Sequence, residues 1–297
     1  RPPRSTPLYS SAASDVYKRQ ARMCATLVRT ALDHDATMLN HAQVTGLLRN
    51  EEGHITGVSF TDTETGDTHE ASGSVVINAA GVFSNKILKM EDENAETVVE
   101  PSRGVHLVLD QTFLDGDTAI MVPHTDDGRV LFVIPWHERC LVGTTDEKAP
   151  EPILEPRATE EEVEFILRNA ARYLSRDPGR EDVLSVFAGL RPLVKHEHQA
   201  TKKISREHEV LISRGGLVTI IGGKWTTYRR MAEDVVDNAI DVGGLDRRSC
   251  VTETLQLRGW LDREDSAMPT ENWLRVYGAD APEVMGVCDE IEGRHEP

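Results

Sequence analysis

At 297 residues the chain has room for one large domain or two ordinary ones, and 39% hydrophobic and 28% charged residues suit a globular protein with a real core. A net charge of −17 argues against nucleic acid, whose phosphates need a cationic surface, and gives no support to an electrostatic membrane patch. No apolar run approaches the roughly 18 residues of a bilayer span. Cys24, Cys140, Cys250 and Cys288 lie far apart, so neither a metal site nor a disulfide framework is expected, and a reducing cytoplasm is the default compartment.

Residues 1–20 carry Pro, Ser and Arg without apolar periodicity and read as a disordered or non-native tail. Residues 21–100 read as part of an α/β nucleotide-binding domain. A helix comes first, with Cys24, Leu27, Val28, Ala31 and Leu32 on one face. A strand over TMLNHAQVTGLLRN follows, then turns at Glu51-Glu52-Gly53 and Thr65-Gly66-Asp67, and a buried strand in VVINAAG.

Residues 101–215 change character. GVHLVLD, TAIMVP, GRVLFVIPW and CLVGTTD are short β-rich runs, with Asp127-Gly128 and His137-Glu138-Arg139 as hairpin turns of an antiparallel sheet. One helix interrupts them. Thr159 with Glu162 forms its capping box, and Val163, Ile166, Leu167, Ala170 and Leu174 its apolar stripe. DVLSVFAGLRPLV and ISREHEVLI then read as strands. Residues 216–245 return to the α/β domain, with GLVTIIGGK running into a helix that carries Tyr228, Met231, Val235 and Ala239 on one side. Residues 246–297 read as the start of a truncated helical domain, and both ends of the chain read as cuts.

Five segments could carry chemistry. In strand–GGKWTT–helix, Gly222 and Gly223 let the backbone approach a planar or anionic group, the helix offers free N–H groups and a positive dipole end, and Lys224 adds a charge. A plain strand-to-helix turn reads the same way, and the P-loop spacing is absent. SVVINAAG ends in small residues that allow close approach of a cofactor or simply tight packing. In AGLRPL, Arg191 lies on an apolar strand and needs an anionic partner, either a bound phosphate or carboxylate or a structural acid. His106, two residues after Gly104, could take a substrate proton or be a core histidine. Arg206 in SREHE could meet an anion or face solvent.

Taken in order, VVINAAGVFSNKI, PSRGVHLVLD, TAIMVPHTDDGRVLFVIPW, LVGTTD, VLSVFAGLRPLV, ISREHEV and GLVTIIGGKWTTYRRMAEDVVD resemble the FAD-dependent glycerol-3-phosphate dehydrogenases and the related oxidases. The likeness runs over roughly residues 21–297. It implies an α/β (α+β) fold of the amino-acid-oxidase-like flavoprotein type, with a partial Rossmann-like FAD domain and an antiparallel-sheet substrate domain. It implies oxidation of sn-glycerol 3-phosphate to dihydroxyacetone phosphate, FAD as cofactor and a quinone as acceptor. Attachment to the inner face of a membrane and a homodimer are compatible with it. His106, Arg191 and Lys224 resemble its catalytic set, with His106 the first choice of base. Arg191, Lys224 and Arg206 resemble its substrate ligands. Ala80, Gly81, Gly222, Gly223, Lys224, Thr226 and Thr227 resemble its flavin contacts. The family opens on a strand and GxGxxG turn that seat the FAD pyrophosphate, and no GxGxxG occurs here. The expectation is an incomplete fragment that binds FAD weakly or not at all. Two alternatives stand beside this: an amine or amino-acid oxidoreductase of the same fold, and a non-catalytic fragment.

Overall fold

The computed structural model describes residues 20–114, 116–123, 125–195, 208–262, 267–271 and 273–290. These group into two compact units, one of residues up to Ala42 together with those from Arg248 onward, the other Gln43–Arg247.

The smaller unit holds helix α1 (Gln20–Asp33) and the final helix (Ala281–Glu290), with a 3-10 segment (Arg275–Asp280) before it. Of the apolar stripe expected on α1, Leu27, Val28 and Ala31 are half-buried. Cys24 and Leu32 are exposed, and Thr30 is the one buried residue. The reason is polar. Thr30 Oγ1 donates to the Thr26 carbonyl and accepts the Arg258 backbone N–H. Arg258 meets Asp33 at 2.9 Å, Asp280 at 3.3 Å and Glu283 at 2.9 Å, and Arg29 meets Glu283 at 3.1 Å. Polar pairing joins the half-buried Leu27, Val28 and Ala31 in docking the segment on the helix.

The larger unit contains three sheets. Strands β1 (Ala42–Arg49), β2 (Ile55–Asp62) and β3 (Thr68–Ser72) form a meander. The expected strand over residues 37–50 is shorter than read, because His41 sits at φ 55° and breaks the extended run. Gly53 (φ 85°) and Gly66 (φ 83°) make the two turns where they were expected.

Six strands form the second sheet: β5 (Val99–Asp110), β6 (Ile120–Val122), β7 (Leu131–Trp136), β8 (Arg139–Gly143), β9 (Glu147–Lys148) and β10 (Ser185–Val194). Its main order is β10-β5-β8-β7-β6, with β9 also on β5. The β7–β8 hairpin turns on His137 and Glu138 alone, both at positive φ as a two-residue turn of this hand requires, and Arg139 already belongs to β8. One face is covered by α3 (Glu160–Ala170), whose stripe Val163, Ile166, Leu167 and Ala170 packs on Val105, Leu107, Leu109, Val133 and Val142. The Thr159/Glu162 capping box is present.

The third sheet has the order β11-β12-β4, from β11 (His208–Ile212), β12 (Leu217–Gly222) and β4 (Val76–Asn78). Strands β4 and β12, remote in sequence, run parallel, with Asn78 opposite Thr219. Behind β4 come a 3-10 turn (Gly81–Phe83) and α2 (Ser84–Glu91); behind β12 come a 3-10 turn (Trp225–Thr227) and α4 (Tyr228–Gly243). Met231, Val235, Ala239 and Val242 of α4 pack on Val218 and Ile220. Val99, Val194 and Ile221 form a cluster that ties the second sheet to the third.

Candidate functional site

Side chains alternate across a strand, so the central strands of the six-stranded sheet turn alternate residues toward α3 and away from it. On β5 the residues facing away from the α3 core are Ser102, Gly104 and His106, and on β10 they are Phe187, Gly189 and Arg191. Register sets them in rows: Phe187 opposite His106, Gly189 opposite Gly104, Arg191 opposite Ser102. Across the next strand His106 faces Gly143.

The glycines make room. A Cβ on Gly143 would come within 2.4 Å of the His106 ring, and one on Gly104 within 2.3 Å of the Arg191 guanidinium. Nothing lies within 4 Å of where a Cβ on Gly189 would stand. The result is a glycine floor edged by an imidazole, a guanidinium and the half-exposed Phe187 ring. The rings of His106 and Phe187 lie parallel at 5.2 Å.

A short cradle holds Arg191. Its Nη2 donates to Thr144 Oγ1 at 2.9 Å and its Nη1 to the Thr145 carbonyl at 3.2 Å. Asp146 stands 3.6 Å from Nη1, with both side chains more than a third exposed. Asp146 is itself held by the hydroxyl of buried Ser102. Arg191 therefore has the structural acid that the sequence allowed, but at a loose, solvated distance that leaves it able to share its charge with a bound anion. Burial, and then the charge of Arg191, push the His106 pKa down to about 4. At neutral pH the imidazole is uncharged and has a free lone pair.

The second cluster stands where the parallel strands end. Asn78, 3% exposed at the end of β4, donates to Thr219 Oγ1 at 3.3 Å and to the Ser84 carbonyl at 3.2 Å, and its Oδ1 accepts the Ala80 N–H at 3.3 Å. Gly81 follows at φ 57°, facing open space. Gly222 and Gly223 close β12 at φ 73° and 77°. Glycine holds such a pair without strain, and a Cβ on Gly223 would also strike the Met231 sulfur. Thr227 Oγ1 accepts the Lys224 N–H at 3.2 Å and donates to the Lys224 carbonyl at 3.0 Å, so its hydroxyl closes the turn. No side chain caps the first turn of α4. The indole N–H of Trp225 is buried with no hydrogen-bond partner among the described residues. The positive end of the α4 dipole, the open glycine backbone at Gly81 and the unmet donor of Trp225 suit a planar cofactor rich in acceptor atoms.

The two clusters adjoin. The 3-10 turn after β4 packs against β5, β10 and β12, and β10 packs against β12. Val194, three residues beyond Arg191, shares a buried cluster with Ile221, the neighbour of Gly222. His106 and Arg191 are thus brought together on one sheet face, and Ala80, Gly81, Gly222, Gly223, Lys224, Thr226 and Thr227 at the adjoining strand ends. Arg206 lies outside the described residues. Motif reading missed Thr144, Thr145 and Asp146, although GTTD stood inside one of the matching stretches.

A model of the FAD dependent oxidoreductase family matches residues 11–229. The chain belongs to that family. Its mixed α/β fold with antiparallel sheets is of this family's type. The chain is 41% identical to a probable mitochondrial glycerol-3-phosphate dehydrogenase of Caenorhabditis elegans, over 82% of this chain and 34% of that protein. It is 39% identical to a mitochondrial glycerol-3-phosphate dehydrogenase of Arabidopsis thaliana, over 95% of this chain and 46% of that one. Among solved structures it is similar to the glycerol-3-phosphate dehydrogenase of Bacillus halodurans complexed with FAD. That match has a TM-score of 0.78 at 30% identity, covering 91% of this chain and 56% of the other. The chain spans about a third to a half of the length of these curated relatives. No helix among its described residues is long and apolar enough to cross a membrane.

Proposed function

We propose that the protein oxidises sn-glycerol 3-phosphate to dihydroxyacetone phosphate with FAD as the resident cofactor and a quinone as the onward acceptor. The observation that carries this reading is the pairing of Arg191 and His106 on a glycine floor beside the Gly222-Gly223 turn. Supporting it are family membership and the similarity to named glycerol-3-phosphate dehydrogenases.

Arg191 binds the substrate phosphate, joined by Lys224 and Arg206. Its planar fork offers paired donors that a phosphate accepts in a bidentate grip. His106 takes the proton of the C2 hydroxyl as the C2 hydride leaves. Its neutral state leaves the lone pair available, and a dianion on Arg191 offsets the positive charge that weakens His106 as a base. Ala80, Gly81, Gly222, Gly223, Lys224, Thr226 and Thr227 hold the flavin. Bound FAD supplies the two-electron acceptor for the hydride. The backbone glycines admit the ring, and the uncapped start of α4 stabilises negative charge on it. A homodimer and attachment to the inner face of a cell membrane, on the cytoplasmic side, belong to the same proposal and rest on the resemblance. The relatives' names place those proteins in mitochondria.

The test is anaerobic bleaching of the flavin spectrum, with FAD supplied in excess. Glycerol 3-phosphate is expected to bleach it, and amino acids are expected not to. Bleaching by amino acids alone would overturn the reading in favour of an amino-acid oxidoreductase.

A further inference from the structure

Behind the cradle of Arg191 stands a carboxylate that the function above does not use. Glu162 is the third residue after the helix cap Thr159 and is 5% exposed. Its Oε2 accepts the Thr159 N–H at 2.9 Å, which is the ordinary work of a capping box. Its Oε1 does something a cap does not require. It accepts the hydroxyl of Thr145 at 2.9 Å, reaching from α3 into the strand ends of the sheet. Arg103 grips both oxygens, Nε on Oε1 at 3.2 Å and Nη2 on Oε2 at 2.9 Å. The charge of Glu162 is therefore matched on its own side of the sheet, and it reaches the opposite face through geometry rather than through its field.

Thr145 is the link. It is 1% exposed, and its hydroxyl oxygen also accepts the Val105 N–H at 3.0 Å. The hydroxyl points to Glu162 while the carbonyl of the same residue accepts Nη1 of Arg191 at 3.2 Å. Thr144, one residue earlier, holds Nη2. A buried residue fixed by two hydrogen bonds on one side presents its carbonyl in one place on the other. We propose that Glu162 is a positioning residue for substrate binding: by anchoring Thr145 it sets where the guanidinium of Arg191 meets the substrate's phosphate. This rests on Arg191 being the phosphate ligand.

The test is a double-mutant cycle in the flavin-loaded protein, read as KM and kcat for glycerol 3-phosphate and as its dissociation constant by calorimetry. Glu162→Leu is expected to raise KM and the dissociation constant about tenfold, the scale of one misplaced hydrogen bond, with kcat within about twofold. In an Arg191→Ala background it should change neither further. Thr145→Val, which leaves the helix cap intact, should reproduce the rise and decides the matter if Glu162→Leu does not fold. Glu162→Gln, which keeps one acceptor, should fall between. Independent, multiplying effects of Glu162→Leu and Arg191→Ala would overturn the proposal, as would an unchanged KM in folded Thr145→Val. If Arg191→Ala alone leaves KM and binding unchanged, the phosphate assignment itself has failed, and this proposal falls with it.

Discussion

The guanidinium of Arg191 lies directly against the backbone of Gly104, so close that a methyl group there would sit 2.3 to 2.6 Å from three of its atoms. The two residues come from neighbouring strands, and the missing side chain of one is the resting place of the other. A consequence is that Gly104→Ala should act on binding rather than on folding. The clashing atoms are the far end of a flexible side chain, which can swing away. Chemical denaturation should show a stability loss under about 1 kcal/mol, whereas the KM for glycerol 3-phosphate should rise at least tenfold. A large stability loss with unchanged KM would count against this placement of Arg191.

Gly223 behaves in the opposite way. Its φ of 77° and the Met231 sulfur 2.3 Å from any added Cβ leave a side chain both strained and crowded. Gly223→Ala should destabilise the protein by about 1–3 kcal/mol and weaken flavin binding at the same time. Thermal unfolding and flavin fluorescence measured on one preparation would check both.

These two glycines illustrate what was legible in the sequence. Gly222-Gly223 stood out because a strand, a glycine pair and a helix follow one another within a few residues. The Thr159/Glu162 cap was legible for the same reason. The grip on Arg191 was not, because Thr144 and Thr145 arrive from 47 and 46 residues earlier and meet it only through sheet pairing. The parallel partnership of β4 and β12 joins Asn78 to Thr219 across 141 residues, and no local pattern encodes that. The α1 stripe was legible in Leu27, Val28 and Ala31, but helix periodicity reports an apolar face and could not show the threonine and the ion pairs that join it in the docking.

Acid should weaken the fold through His106. Its pKa in the folded chain is lowered to about 4 from an ordinary value of about 6.5, so the unfolded chain takes up the proton more readily. The stabilising contribution is complete above about pH 6.5 and is lost as pH falls from there toward about 4. Denaturation midpoints measured across that window should slope downward on acidification, and His106→Gln should flatten the slope. An equal slope in the variant would assign it to other groups.

Asp146 competes with any anion for Arg191, at 3.6 Å and in partial contact with solvent. Asp146→Asn keeps an acceptor for Ser102 and removes the charge. It should lower the KM for glycerol 3-phosphate about two- to fivefold, the range of an exposed ion pair. Saturation kinetics at fixed ionic strength would show it, and a higher KM would mean that Asp146 assists binding instead.

The unit built on α1 depends on the contacts of Arg258 with Asp33, Asp280 and Glu283. Arg258→Met should lower its melting temperature, and added salt should narrow the gap between variant and parent as these charges are screened. Hydrogen exchange of the α1 amides would follow the loss directly.

The most direct test of the central claim is the effect of Arg191→Ala on the flavin-loaded protein, with glycerol 3-phosphate as substrate. The phosphate assignment predicts a rise in KM of at least about tenfold, above the change expected from the exposed Asp146 partner. Wild-type saturation kinetics surviving unchanged in the variant, or no oxidation of glycerol 3-phosphate by the parent, would contradict it.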